Sequence, residues 1–130
     1  MIMIMKTMGF LAILCLMLVS IIGCSENVKD TTAPAILWTG VAEVSSYGAI
    51  ISWTTDEPAT SQVEFRSGDF GLATDYNLST ILDSRMVTTH DSIGVMELRP
   101  GTTYHYRVVS VDESGNVGTS SDLTFTTNAE

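Results

Sequence analysis

Two histidines, two cysteines and 15 carboxylates are the groups with which this sequence of 130 residues could do chemistry. His90 and His105 fall on different expected strands, with no spacing that pairs either with a nucleophile, and each is expected to be half-exposed. The sequence has no Gly-rich phosphate loop after a strand, no His-Glu-x-x-His, no paired-cysteine zinc spacing and no Ser elbow. Asp112-Glu-Ser-Gly-Asn116 is rich in oxygen ligands, but it lacks the repeated acidic spacing and the closing Glu of a calcium loop. Its Ser-Gly-Asn content predicts a hairpin turn instead. No catalytic residue, metal ligand set or cofactor is expected, and the sequence reads as that of a non-enzyme.

The cysteine with chemical prospects is Cys24. Lys6 precedes Gly9–Ile22, a stretch in which Ser20 alone is polar. A basic start and a short apolar core predict a secretory signal, since a spanning helix needs about twenty apolar residues. An uncleaved anchor over the first 23 residues is the alternative. Ile21-Ile-Gly-Cys24 resembles the bacterial lipobox, with an aliphatic residue three positions before the cysteine and a small one directly before it. The resemblance implies cleavage before Cys24, a diacylglyceryl group on its thiol and, commonly, an acyl (palmitate) chain on the new N-terminus. Two or three chains anchor stably where one is marginal. The expected organisation is a signal peptide over 1–23, a lipid-anchored tether over 24–33 and one domain over 34–128. The expected location is secreted and lipid-anchored, at the cell membrane or outer membrane of a bacterial envelope. Of the 6 Lys+Arg only Lys6 precedes Cys24, leaving 5 against 15 Asp+Glu, a balance that argues against nucleic acid as a partner.

The elements that would carry any site are strands. Leu98–Asp112 opens with a Pro-Gly turn and continues as an alternating run, with Tyr104, Tyr106 and Val108 on one face and His105, Arg107 and Val109 on the other. Ala49–Thr55 alternates with Ala49, Ile51 and Trp53 inward, and Asp56-Glu-Pro-Ala59 is expected to break that strand before Ser61–Arg66 resumes with Val63 and Phe65 inward. Ile36–Val44, Tyr76–Leu82, Val87–Leu98 and Leu123–Thr127 complete seven strands, at the spacing expected of a sandwich. In Ile36–Val44 the facing of Ile36, Leu37 and Trp38 is ambiguous.

Leu98-Arg-Pro100-Gly-Thr102-Thr-Tyr104 resembles the corner before strand F of a fibronectin type III domain. The resemblance implies an all-β, seven-stranded antiparallel immunoglobulin-like sandwich with Trp53 in its core. It makes Tyr104 a tyrosine corner, its hydroxyl bonded to backbone a few residues upstream, with Leu98 and Pro100 as structural partners. Thr55–Phe65 is similar to the same segment in prokaryotic surface modules and in the N-terminal domain of purple acid phosphatases. Such a phosphatase needs a metallophosphoesterase domain rich in Asp, Asn and His in addition.

In this fold the tether enters at the pole carrying Asp56, Glu57, Asp112 and Glu113, carboxylates that an anionic leaflet would repel. The opposite pole is then expected to be free, with Tyr47, the Ser67–Thr74 loop and the Arg99-Pro-Gly turn. Phe70, Arg66 and Arg99 are the expected binding residues. The expected function is a non-catalytic lipoprotein presenting one module, for interaction with an unknown envelope protein or polysaccharide, or as a spacer. The alternatives are a carbohydrate-binding accessory module of an extracellular hydrolase system, or the truncated N-terminal domain of a phosphatase-like enzyme.

Overall fold

The computed structural model describes residues 28–68 and 75–130. The expected signal segment with Cys24, and Phe70, lie outside the described residues. Seven strands form an antiparallel network: β1 (Ile36–Val44), β2 (Ala49–Ser67), β3 (Leu78–Ser79), β4 (Asp83–Val95), β5 (Thr103–Val111), β6 (Val117–Thr119) and β7 (Leu123–Thr126).

β2 belongs to both layers of the sandwich. Its first part pairs with β1 on one side and β4 on the other, making layer 1. From Gln62 to Ser67 it pairs with β5, and Glu64 and Phe65 also pair with β3; β6 and β7 pair with the far side of β5, completing layer 2. The expected break at Asp56–Ala59 is therefore absent. The ladder to β4 skips from Thr54 to Ala59, so Pro58, which has no N–H to give, falls where none is required. The chain stays extended while it changes layer.

Other boundaries also move. Tyr76–Leu82 supplies only the two residues of β3, and β4 begins at Asp83 and ends at Val95, leaving Leu98 buried just beyond it. The expected last strand is β7, and a further strand, β6, precedes it: both pair with β5, and Ser120 bridges the gap by donating its N–H to the Val108 carbonyl while its Oγ accepts from the Val108 N–H.

Residues directly opposite one another in a ladder share a face, which decides what points inward. Ile51, Trp53 and Val95 from layer 1 meet Val63, Phe65, Tyr104, Tyr106, Val108 and Phe125 from layer 2, all buried. Tyr104 stacks on Phe125 with centroids 5.8 Å apart and meets Phe65 edge-on at 6.4 Å. The facing of β1 is settled by a register shift between Ile36 and Trp38: Ile36 packs on the core, and Leu37 and Trp38 are left exposed.

The Tyr104 hydroxyl accepts a 3.0 Å hydrogen bond from the Arg99 N–H, five residues upstream, and closes the turn that returns the chain from Leu98 to β5. Thr127 holds the same turn from the other side, donating its Oγ1 proton to the Arg99 carbonyl at 2.6 Å. Tyr104→Phe strips the Arg99 N–H of its acceptor in a half-buried place, so it should cost about 1–2 kcal/mol. Urea unfolding should show a lower midpoint at unchanged slope; an unchanged midpoint would mean that the corner bond contributes no net stability.

Candidate functional site

Ser61 and His90 form the one serine–histidine contact among the described residues, with Ser61 Oγ 2.6 Å from His90 Nδ1. His90 is not half-exposed as its sequence context suggested; it is 1% exposed. Ser92 takes a positive φ of 61°, which inserts an irregularity into β4 between His90 and Ile93 and brings both inward. The imidazole stacks on Trp53, with centroids 4.7 Å apart and planes 8° from parallel, and its Nε2 lies 3.1 Å from Thr55 Oγ1. Trp53 in turn donates its indole N–H to Ser110 Oγ at 2.9 Å, across the sandwich. All these groups are enclosed, so no substrate reaches the pair, and the network works as a satisfied polar core. The inward polar phases of Thr55, Ser61 and Ser110 were the sequence signal for it.

A second cluster covers the outer face of layer 2. His105 Nδ1 meets Asp122 Oδ2 at 2.6 Å, the Tyr76 hydroxyl donates to the other oxygen of Asp122, and Arg107 lies 4.7 Å over the Tyr76 ring while its Nε holds Glu64 at 2.6 Å. Desolvation, joined by the bond to Asp122, pushes the Tyr76 phenol up to about 12. Burial works to raise Asp122, but hydrogen bonds from Tyr76 and His105 and the charges of His105 and Arg66 hold it below the usual carboxylate range. Arg66 belongs to this face and is 4% exposed, so it is not the accessible binding residue expected from the sequence. Its ladder partner is His105, near the end of β2 and the start of β5, so it is burial rather than position that takes it from solvent.

Arg99 does lie exposed at the expected pole, with Tyr47 close by, since the Leu98 N–H donates to the Tyr47 carbonyl. Residues 128–130 close over that pole: the Asn128 N–H donates to the Ser45 carbonyl and the Tyr47 hydroxyl bonds the Glu130 carboxylate.

At the other pole, Asp30, Glu57 and Asp112 place carboxylate oxygens within 4.8 Å of one another. Asp112 is bound into the turn that the sequence predicts, its two oxygens accepting from the Asn116 N–H and side-chain amide, both at 2.8 Å. Burial raises Asp112, yet these bonds and those from the Ser114 and Gly115 N–H groups bring it below its ordinary value. Glu57 is raised, by desolvation and by the charges of Asp30, Asp112 and Asp56. The segment entering the domain is fixed here: the Ala35 N–H donates to Asp56 Oδ1 at 2.7 Å, and the Pro34 carbonyl crosses Gly118 so closely that a Cβ there would fall 1.9 Å from its oxygen.

An apolar opening lies elsewhere among the described residues. Between β3 and the end of β4 the two layers part, leaving an apolar groove of about 600 Å³. Phe65, Leu98 and Tyr104 line it from the core, and Leu78, Ile81 and Met96 stand around it at 48%, 94% and 67% exposure. The expected strand over Tyr76–Leu82 gave no sign of it. Only the collapse of that strand to two residues turns Leu78 and Ile81 out.

Over residues 37–127 the chain matches the family model described as the purple acid phosphatase N-terminal domain. No curated protein matches it. Among solved structures it is similar to the fibronectin type III domain of human collagen XX, with 20% identity, a TM-score of 0.56 and coverage of 75% of this chain and 95% of that one. It is also similar to the type III domain of human fibronectin type III domain containing protein 3 (17%, 0.54, 82% and 94%) and to the FN5 domain of Drosophila Lar (15%, 0.55, 76% and 100%). At these identities the likeness shows the fold, an all-β fibronectin type III sandwich.

Burial of the imidazole lowers the His90 pKa from 6.5, with the charges of Asp83 and Asp91 opposing. A base lowered on folding binds fewer protons folded than unfolded in the interval between its two pKa values. Stability therefore falls as pH drops from 6.5 through that interval, then levels off below the folded pKa. The raised Glu57 acts with the opposite sign in part of this range, so the readout is a difference between variants. His90→Asn should be less stable than wild type at pH 7.5, and its urea midpoint should decline less between pH 6.5 and 5. Parallel declines would show that His90 does not set the slope.

Proposed function

This chain belongs to the purple acid phosphatase N-terminal domain family, and from that footing we propose that it is a non-catalytic binding module, held at a bacterial envelope by lipid on Cys24, that docks an envelope protein. The groove between β3 and β4 carries the reading. Its volume is that of a site taking a few side chains, and three large apolar residues stand in water around it. Groove and anchor are also arranged compatibly. The segment that would lead from Cys24 is pinned at the pole of Asp56 and Gly118, whereas Met96, Leu98 and Tyr104 belong to the opposite half of the sandwich. A module tethered this way presents the groove away from the bilayer.

The family match favours a second reading, in which the same groove faces a further domain of a larger phosphatase-like protein. Both assign the groove to contact with folded protein and neither gives this domain a reaction of its own.

The test is chemical crosslinking in cells that make the full chain, followed by envelope fractionation. Wild type should require detergent for extraction and give a crosslinked species with another envelope protein. Cys24→Ser should lose the lipid and the processing that follows it. Met96→Glu and Ile81→Asp should remain membrane-bound and folded but lose the crosslink by about tenfold or more, since a buried unpaired carboxylate is strongly disfavoured at an apolar contact. An unchanged crosslink in both groove variants would remove the groove from the function, and extraction of wild type by buffer alone would remove the anchor.

A further inference from the structure

We propose that the outer face of layer 1 around Trp38 is a second binding site, and that its ligand is a neutral polysaccharide. Trp38 is directly opposite Thr54, and Thr54 is opposite Thr89, so the three side chains form a row across β1, β2 and β4 on the face turned away from the core. Trp38 is 57% exposed, although an indole is the side chain with most to gain from burial. It is nevertheless seated. Its six-membered ring lies across Gly40, where a Cβ would fall 2.8 Å from Cζ2 and 3.0 Å from Cη2. Glycine at this position leaves room for the ring to lie down on the sheet, which presents a fixed aromatic surface to solvent and removes the entropy cost of ordering it on binding.

The surroundings of the ring select the ligand. Thr54 stands beside Trp38 on β2 and Thr89 follows it in the row on β4, with hydroxyls that both donate and accept, and Ser52 pairs with Gly40 beneath the ring. A flat apolar surface edged by hydroxyls complements a sugar ring, whose C–H face stacks while its own hydroxyls reach sideways. The row itself holds no charge, and the chain carries a net −9, which repels polyanionic glycans and nucleic acid. A protein partner would call instead for a contiguous apolar patch, and that is the character of the groove at β3 and β4. The two sites rest on different observations, and the Trp38 proposal does not depend on the groove.

The experiment is retention of the detergent-solubilised full chain on cellulose, chitin and insoluble xylan, with release measured against soluble oligosaccharide. Wild type should be held by at least one of the three. Trp38→Ala, at an exposed position, should fold normally and lose retention by about tenfold or more. Gly40→Val should lose it too although Trp38 is still present, because the added side chain lifts the ring from its seat. Met96→Glu should bind glycan as wild type does, which separates this site from the groove. Failure to bind any of the three matrices would overturn the proposal, as would equal retention of wild type and Trp38→Ala. So would sedimentation showing that Trp38→Ala converts a dimer to a monomer, which would make the face a self-interface.

Discussion

Trp53 is the contact on which the two layers depend. Its ring is fully buried, stacked on His90 within layer 1, and its one polar atom reaches across to Ser110 on β5. Burying an indole N–H without an acceptor is expensive, so the Ser110 bond fixes the layer 1 part of β2 against β5 more narrowly than apolar packing alone would. Ser110 is itself inward because β5 alternates without a fault from Tyr104 onward. A chain without a disulfide between its layers thus acquires a directional link between them, while the surrounding aliphatic and aromatic side chains provide most of the burial.

The same strand shows why much of the fold was legible. Where alternation continues unbroken, as in β5 and the first half of β2, the facing of each residue follows from one anchor, and Trp53, Tyr104, Tyr106 and Val108 lie inward as their phase requires. Legibility fails wherever a backbone irregularity resets the phase. Ser92 at positive φ is the clearest case: it moves His90 from an expected half-exposed position to the middle of the core. Asp56–Ala59 fails differently. Its composition is that of a turn, but the residues stay extended because the strand is passing from one layer to the other. Arg66 fails for a third reason. Side chains on the outer face of a sheet are wet only if nothing lies over them, and alternation says nothing about what does.

The surfaces were the least legible part. Neither the groove nor the Trp38 row is encoded by a motif; each arises where a strand falls short of its expected form. The register shift in β1 turns Trp38 outward, and the shortness of β3 parts the layers at Leu78 and Ile81. Both features expose large apolar side chains, which makes them liabilities for solubility unless they are used or guarded. The guard is visible in the charge. The chain is strongly acidic, and copies approaching one another face mutual repulsion that a specific partner of different character does not.

The poles complete the argument about presentation. A free loop at the entry pole would leave the direction in which residues 28–35 reach the domain undefined. Here the entering segment makes three separate contacts: Asn116 Nδ2 to the Asp30 carbonyl, Pro34 across Gly118, and the Ala35 N–H to Asp56. Their spread over the β5–β6 turn and the middle of β2 fixes a direction as well as a point. Asp30 crowds Glu57 and Asp112, and Glu57 is raised by desolvation first and by that repulsion second. The crowding is tolerable because hydrogen bonds within its own turn stabilise the charged Asp112 carboxylate. The entry pole thus trades electrostatic comfort for orientation, and that orientation is useful only if something is presented at the other end.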